Sequence, residues 1–235
     1  TRGLSTDPLL EVVAAASDPF EARDKIIEYE PDVMTCDVEM PKMNGIEFIR
    51  RLLPQYPLPV IVVSALNNLV FEALSAGAVD FVGKPDFRSA ESTRRFIEDV
   101  IAKIKVAAIA KVLTNPRGQT PGKIQKRSYG NERKIIAIGA STGGTEAILQ
   151  ILRYLPSNVP GIAVAQHIPA GFSSMFAERL AELTALSVKE AKTGDRLETG
   201  VVLIAPGDLQ MQVKKRGSVF AVECYPGGKV NGHRP

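Results

Sequence analysis

The chain is short of cysteine and of long apolar runs, and each shortage excludes a class of protein. Its two cysteines, Cys36 and Cys224, lie far apart, which excludes a disulfide framework or a cysteine-based zinc site and favours a reducing compartment. No stretch reaches the roughly 18 apolar residues that a membrane span needs. The first residues, TRGLSTDPLL, contain no apolar core of signal-peptide type. We therefore expect a cytoplasmic protein.

The chain also has little excess charge. Its 29 basic and 26 acidic residues give a net charge of +3, whereas a nucleic-acid-binding protein usually carries a basic face or stripe. The local basic excess, in residues 123–134, falls in a segment rich in Pro, Gly, Gln and Ser. We interpret residues 111–132 as a linker between domains at 1–110 and 133–235.

Apolar runs alternate with amphipathic helical patterns on both sides of this linker, which predicts α/β domains with parallel sheets covered by helices. In the first domain the predicted strands are Glu11–Ala15, Asp32–Asp37, Pro59–Ala65 and Val79–Pro85, and the predicted helices are Pro19–Tyr29, Gly45–Leu53, Asn68–Ala78 and a long one near Ser89–Ala110. In the second domain the predicted strands are Lys134–Gly139, Gly161–His167 and Gly200–Pro206, and the helices are Thr145–Leu155 and Ser173–Leu183. The second domain ends in a β-hairpin, Leu209–Tyr225, that turns at Arg216–Gly217.

Three strands of the first domain end in polar residues: Asp37, Ser64 and Lys84. Ligands of parallel α/β sheets gather at this carboxyl edge. A carboxylate, a hydroxyl and an ammonium there suit a phosphoryl group, with Asp37 as acceptor, Lys84 as counter-charge and Ser64 as donor to a phosphoryl oxygen. For any one of these residues alone, a solvated strand end is the favoured interpretation.

The segments DVEMPKMNG, SA and VDFVGKP around these residues resemble the response-regulator receiver domain, a flavodoxin-like fold. The resemblance implies that Asp37 is phosphorylated and that Mg²⁺ binds its carboxylate and the backbone carbonyl of Glu39. It also implies a cis peptide bond before Pro85 and an aromatic switch residue at Phe81. The family's first strand, which ends in a Mg²⁺-binding acidic pair, is not recognisable in this sequence.

The segment KIIAIGASTGGTEAI contains the pattern Gly-x-Ser-x-Gly around Ser141, between a predicted strand and a predicted helix. This is the context of a nucleophile elbow. The helix N-terminus would supply N–H groups for an oxyanion, with Thr142 as the natural donor. A serine needs a base, and His167 ends the next strand. If the two strands are neighbours, the side chains should come within hydrogen-bond reach.

Two other interpretations of the elbow are weaker. Nucleotide binding would need a G-x-G-x-x-G or G-K-[ST] pattern, and neither is present. A helix-cap role fits poorly because Ser141 lies between glycines. The third member of a triad stays open: Asp195 and Asp208 are available, but both have the sequence context of turns.

Taken together, the segments GASTGGTEA, AQHIPAGFSSMFAERL, TGDRLETGVVLIAPGD and GHRP after a receiver resemble the chemotaxis response-regulator methylesterases, the CheB family. The resemblance implies a Rossmann-like serine esterase domain that hydrolyses glutamate γ-methyl esters, and deamidates glutamines, on chemoreceptor helices. It implies Ser141 as nucleophile, His167 as base and Thr142 in the oxyanion hole, with no cofactor for the esterase. The family's G-M-G-x-D-G motif, which carries the triad aspartate, is not recognisable here.

The same resemblance implies activation by phosphotransfer from a chemotaxis histidine kinase to Asp37 in a monomeric protein. Two alternatives stay open: a non-catalytic, phosphorylation-dependent receptor-binding module, or an inactive fragment. A DNA-binding response regulator is suggested only by the basic linker, and no helix-turn-helix follows it. The sequence does not reveal the modified receptor sites or the cognate kinase.

Overall fold

The computed structural model describes residues 2–65, 67–85, 89–109, 134–230 and 234–235, without the side chains of residues 67, 68 and 216. The predicted linker, residues 111–132, and His233 lie outside the described residues. The chain divides into two compact units, Thr1–Arg117 and Gly118–Pro235.

The first unit alternates helices with short strands. Its elements are a 3₁₀ turn at Leu4–Thr6, helix α1 (Pro19–Tyr29), strand β1 (Met34–Asp37), helix α2 (Gly45–Leu52), strand β2 (Val60–Ser64), helix α3 (Asn67–Ser75), strand β3 (Asp80–Gly83) and helix α4 (Ala90–Ile109). Local signals start two of the helices. Asp18 accepts hydrogen bonds from the first N–H groups of α1, and Asn44 accepts one from the Glu47 N–H in α2.

Strands β1, β2 and β3 form a parallel sheet in that order. Because side chains alternate along a strand, its two faces pack differently. Ile61 and Val82 pack against Val100 and Ala107 of α4. Phe81 points the other way and meets Phe71 of α3 edge-on, with ring centroids 6.4 Å apart. Helices therefore cover the sheet on both faces, as the apolar runs predicted.

The predicted strand at Glu11–Ala15 is wrong. These residues belong to no strand or helix, and Val13 is 41% exposed. A strand is stable only when a neighbouring strand takes up its N–H and C=O groups, and the described sheet ends at β1 with no ladder to this segment. An apolar run predicts a strand but does not supply its partner.

The second unit has its own parallel sheet and a separate hairpin. Its elements are β4 (Ile135–Ala140), α5 (Gly144–Leu152), β5 (Gly161–Gln166), α6 (Phe172–Leu183), β6 (Ser187–Glu190), β7 (Val201–Ile204), β8 (Gln210–Arg216) and β9 (Val219–Tyr225). The sheet order is β4-β5-β7-β6, all parallel, and β8 pairs with β9 in antiparallel fashion. The predicted parallel α/β class and the closing hairpin are confirmed. The turn lies one residue later than predicted, at residues 217–218, because Arg216 still pairs with Val219.

The hairpin packs on the sheet through a small core. Ala163 of β5 and Leu203 of β7 contact Val222 of β9, and Met211, Val213 and Phe220 lie against this cluster. Helices α5 and α6 contact each other and the sheet. Strand β6 was not predicted from the sequence. Its residues, SVKE, include one buried apolar residue, Val188, between exposed polar residues, which is usual for an edge strand.

No helix within the described ranges is long and apolar enough to cross a membrane.

Candidate active site and phosphoacceptor site

The turn that carries Ser141 has the geometry of a strand-to-helix elbow. Strand β4 ends at Ala140, and Gly143 adopts the left-handed conformation, with φ 74° and ψ −4°, directly before α5. The Gly144 N–H donates to the Ser141 carbonyl at 2.7 Å and closes the turn. Of the two glycines that flank Ser141 in the Gly-x-Ser-x-Gly pattern, only Gly143 has a positive φ, which favours glycine; an added Cβ at Gly139 would meet nothing within 4 Å.

The elbow leaves the Ser141 side chain exposed and free of a capping role. The N-cap of α5 is Gly143, and no side chain caps this helix. The helix-cap interpretation of Ser141 is therefore wrong. The first N–H groups of α5 face the carboxyl edge of the sheet without a side-chain acceptor, and the positive end of the helix favours negative charge there.

Ser141 and His167 form a hydrogen bond, with 3.0 Å between Oγ and Nδ1. The sheet register places them together, because Ala140 of β4 is paired with Gln166 of β5 and each functional residue follows its paired residue. The His167 N–H also donates to the Ala140 carbonyl at 3.2 Å. The predicted adjacency of the two strands, and of the two side chains, is confirmed.

Gln166 is a third polar residue of this site, and sequence reasoning passed over it. Its side chain is buried, with 3% exposure, and its Nε2 donates to the carbonyls of Ser141, at 2.9 Å, and of His167, at 3.2 Å. A signal was present: Gln166 is a polar residue at the buried end of the apolar strand GIAVAQ.

Thr142 lies between the nucleophile candidate and the glycine that starts the helix. It is half-buried, and its N–H has no hydrogen-bond partner among the described residues. An N–H beside an elbow serine and at a helix N-terminus is suited to bind a developing oxyanion.

The two candidate triad aspartates are occupied elsewhere. The Asp195 carboxylate accepts hydrogen bonds from Lys189 Nζ at 2.6 Å and from the Lys192 N–H at 2.8 Å. Burial raises its pKa, but these bonds outweigh burial and leave the pKa below its usual value. Asp208 has a left-handed backbone, with φ 67°, and pairs with Arg234 at 2.5 Å. Both are turn residues, as their context predicted.

The first unit brings Asp37 and Lys84 together. Lys84 Nζ lies 2.5 Å from Asp37 Oδ2, and the Glu39 N–H donates to Asp37 Oδ1 at 3.0 Å. Both side chains are partly exposed, at 37% for Asp37 and 25% for Lys84. Ser64 ends the strand between them, is buried, and accepts a hydrogen bond from the Lys84 N–H on its carbonyl at 2.9 Å. The three predicted residues thus share one sheet edge.

Gly45 and Cys36 both lie next to the Asp37 carbonyl. An added Cβ at Gly45 would overlap the Asp37 carbonyl oxygen, so α2 starts in close contact with the end of β1. Cys36 is buried on the other face of the strand. Burial, and then the charge of Asp37, raise the pKa of the Cys36 thiol to about 12, which keeps it protonated and unreactive.

One expectation for this edge is wrong. Among the described residues, the only cis peptide bond precedes Pro235, so the bond before Pro85 is trans. Lys84 reaches Asp37 in this arrangement. Phe81, the expected switch residue, is buried against Phe71.

The described residues contain no group of three or more His, Cys, Asp or Glu side chains that could hold a metal ion. Asp37 and the carbonyl of Glu39 nevertheless offer two oxygens. Mg²⁺ commonly takes one or two carboxylates and keeps several waters, so these oxygens fit as part of a coordination set.

Comparison with known proteins matches two parts of the chain to family models. Residues 2–94 match the response regulator receiver domain, and residues 136–235 match CheB methylesterase. A protein-glutamate methylesterase/protein-glutamine glutaminase of Syntrophomonas wolfei is 52% identical over 235 residues, covering 100% of this chain and 68% of its own length. The chain belongs to the CheB family.

Further relatives extend the likeness. The corresponding enzyme of Pseudomonas aeruginosa is 42% identical to this CheB family member and matches 99% of the chain and 68% of its own length. Among solved structures, the CheB methylesterase catalytic domain of Thermotoga maritima is 39% identical, covers 44% of this chain and 56% of its own, and has a TM-score of 0.43. The response regulator domain of the same organism's CheB is 36% identical, covers 47% and 88%, and has the same TM-score, 0.43.

Proposed function

We propose that this CheB family chain is a phosphorylation-regulated serine hydrolase that removes γ-methyl esters from glutamate side chains, and deamidates glutamines, of chemoreceptor helices. The observation that carries the proposal is the hydrogen bond between Ser141 and His167, which directly follow two paired strands. The family's name for the activity, protein-glutamate methylesterase/protein-glutamine glutaminase, supplies the substrate class.

The proposed reaction has two halves. His167 takes the proton of Ser141, whose Oγ adds to the γ-carbonyl of the ester and forms a tetrahedral oxyanion. The Thr142 N–H donates to that oxyanion. Collapse of the intermediate breaks the bond to the methoxy group, which leaves as methanol with the proton from the imidazolium. Water then attacks the acyl-enzyme with His167 as base, and glutamate and Ser141 are regenerated.

Deamidation follows the same path with a glutamine substrate, and ammonia leaves in place of methanol. The geometry supports Nδ1 as the nitrogen that takes the proton, because Nδ1 is the atom that faces Ser141. Neither Asp195 nor Asp208 is proposed as a third member, since each is bound to other partners.

For the receiver unit we propose Asp37 as phosphoacceptor. Lys84 would neutralise charge on the phosphoryl oxygens, and the Ser64 hydroxyl would donate to one of them. Mg²⁺, when bound, would supply charge neutralisation, held by the Asp37 carboxylate and the Glu39 carbonyl. The phosphodonor would be a chemotaxis histidine kinase, and phosphorylation would raise the esterase rate. We place the protein in the cytoplasm, as a monomer that reaches the membrane only through receptors and does not bind DNA.

The first experiment is methanol release from a methylated chemoreceptor, with and without a small-molecule phosphodonor and Mg²⁺. Release should rise with the phosphodonor and disappear in Ser141→Ala. Ser218→Ala is a matched control, because Ser218 is an exposed residue of the hairpin turn. Release that persists in Ser141→Ala would overturn the serine mechanism. Receptor binding that depends on phosphorylation, without any release, would establish the non-catalytic module instead.

A further inference from the structure

Gln166 occupies an unusual place in the second unit. It is the last residue of β5, it is 3% exposed, and it directly precedes His167. One nitrogen, Nε2, donates both of its hydrogens to main-chain carbonyls: to Ser141 at 2.9 Å and to His167 at 3.2 Å. A single side-chain amide therefore joins the loop of the nucleophile candidate to the loop of the base candidate.

The orientation of this amide is fixed by its partners. If the amide were reversed, Oε1 would face two carbonyl oxygens, which offer no hydrogen to accept. In the observed orientation Oε1 is buried and has no hydrogen-bond partner among the described residues. An unpaired buried acceptor costs stability. The two hydrogen bonds from Nε2 are therefore formed at the cost of an unpaired Oε1.

The start of α5 confines the same amide from the other side. An added Cβ at Gly144 would overlap Oε1 of Gln166 and would also lie too close to Cβ of Ala140. The Gly144 N–H in turn donates to the Ser141 carbonyl, so that carbonyl accepts from both Gly144 and Gln166. The Gln166 side chain thus has little space in which to move.

From this geometry we propose that Gln166 is a positioning residue of the active site. Its two hydrogen bonds hold the main chain of Ser141 and of His167 at a fixed separation and so maintain the bond between Oγ and Nδ1. The inference rests on the proposed roles of Ser141 and His167. Gln166 touches neither substrate nor reacting atoms, and its effect passes through the placement of the other two.

The test uses Gln166→Met, which keeps the length of the side chain and removes both donors. Two quantities are measured on the full chain: methanol release, as kcat and KM, and covalent labelling by a fluorophosphonate, as a rate constant and a final stoichiometry. We expect kcat and the labelling rate constant to fall roughly 10- to 100-fold, because misplacement of reacting groups by about 1 Å costs this much. KM should stay within about twofold, since uniform substrate binding is unchanged.

The stoichiometry separates positioning from folding. A positioning defect slows labelling but lets every molecule label, whereas a folding defect lowers the labelled fraction. Gln210→Met is the matched control: the Gln210 amide also donates to a main-chain carbonyl, that of Gly228 at 2.8 Å. This variant should keep the wild-type rate constant and stoichiometry.

Three results overturn the proposal. The first is a Gln166→Met protein that labels and turns over within twofold of wild type. The second is a loss confined to KM or to stoichiometry. If Gln166→Met does not fold, the test uses Gln166→Glu instead. Glutamate matches the shape of glutamine, but its carboxylate cannot donate a hydrogen bond, so the same slow, complete labelling is expected. The third result that overturns the proposal is failure of both variants to fold, because Gln166 would then be required for folding rather than for positioning.

Failure of the proposed function gives a different pattern. Labelling of Ser141→Ala at the wild-type rate, or no labelling of the wild-type protein, would overturn the serine mechanism itself. Loss of labelling in Ser141→Ala together with unchanged labelling in Gln166→Met would overturn the positioning role alone.

Discussion

Ala140 and Gln166 are paired residues of adjacent parallel strands, and their pairing decides which side chains meet at the carboxyl edge of the second sheet. Ser141 and His167 each follow one member of this pair, so they leave the sheet side by side. A shift of either strand by one residue would turn the side chains of that strand to the opposite face of the sheet. The site therefore depends on the sheet as much as on the two side chains.

The first prediction concerns the base. Replacement His167→Asn keeps a side-chain amide that can form hydrogen bonds but cannot take a proton from Ser141. We expect kcat for methanol release to fall by roughly 10²–10⁴-fold, the usual contribution of general acid–base catalysis. Steady-state kinetics on a methylated receptor measure this. A variant that retains more than half of the wild-type kcat would exclude His167 as the base.

The second prediction concerns the close contact between α5 and β5. Gly144→Ala adds a methyl group where Oε1 of Gln166 and Cβ of Ala140 already lie. Overpacking of this kind typically costs about 1–3 kcal/mol, and the displacement of Gln166 should also lower kcat. Chemical denaturation and methanol release measure the two effects. The control is Gly228→Ala, whose added Cβ meets nothing within 4 Å; a larger effect in the control would contradict the packing argument.

The third prediction concerns phosphorylation. Asp37→Asn removes the carboxylate that faces Lys84, so incorporation of a phosphoryl group from a small-molecule donor should be lost, and with it the stimulation of methanol release. Mass spectrometry of the treated protein detects the added group. Asp32→Asn, an exposed aspartate on the same stretch of chain, serves as control and should be phosphorylated like the wild type. Phosphorylation of Asp37→Asn at the wild-type level would place the acceptor elsewhere.

The fourth prediction concerns an ion pair of the first unit. Lys103 Nζ of α4 lies 3.0 Å from Asp80 Oδ1 and donates to the Phe81 carbonyl at 2.6 Å. The side chains of Lys103 and Asp80 are largely buried, with exposures of 13% and 10%. Asp80→Ala leaves the ammonium without its counter-charge, so the free energy of unfolding should fall by about 3–5 kcal/mol.

Denaturant titration of the first unit's transition measures this loss. Glu91→Ala breaks an exposed pair with Arg95 on the same helix and should be nearly neutral, because solvent screens it. Equal losses in the two variants would show that burial does not decide the strength of these pairs.

The fifth prediction concerns acid stability. The pKa of Glu21 is lowered from 4.5 to about 2, first by a hydrogen bond from Lys25 and then by the N–H and hydroxyl of Ser17. A carboxylate with a depressed pKa contributes stability above its unfolded pKa and loses it as the pH falls. The difference in unfolding free energy between wild type and Glu21→Gln should therefore be constant above about pH 5 and should vanish between pH 4.5 and 2.

Parallel unfolding titrations of the two proteins at a series of pH values measure that difference. Lys25→Met, which removes the first of these hydrogen bonds, is the control background, and in it the pH dependence of that difference should shrink. A difference between wild type and Glu21→Gln that persists at pH 2 would mean that the hydrogen bonds of Glu21 do not depend on its charge.

Much of the fold followed from local pattern. Helix α1 occupies the predicted range, Pro19–Tyr29, because Asp18, Pro19 and the apolar spacing all act within one helix. The sheet strands of the second unit, apart from β6, were predicted for the same reason: an apolar run between turn residues carries its own signal. The prediction failed at Glu11–Ala15 and at Ser187–Glu190, where the presence or absence of a neighbouring strand decides whether a strand forms.

The candidate site divides in the same way. The sequence by itself determined that Ser141 lies in a strand-to-helix turn, because glycine conformation and apolar periodicity are local. For the same reason it determined that Asp37 and Ser64 end strands and that Lys84 and His167 lie where strands end. Only the tertiary structure decided that β4 pairs with β5 and that β7 lies between β5 and β6. It also placed the Gln166 amide between two carbonyls, because strand pairing and side-chain hydrogen bonds join residues that are distant along the chain.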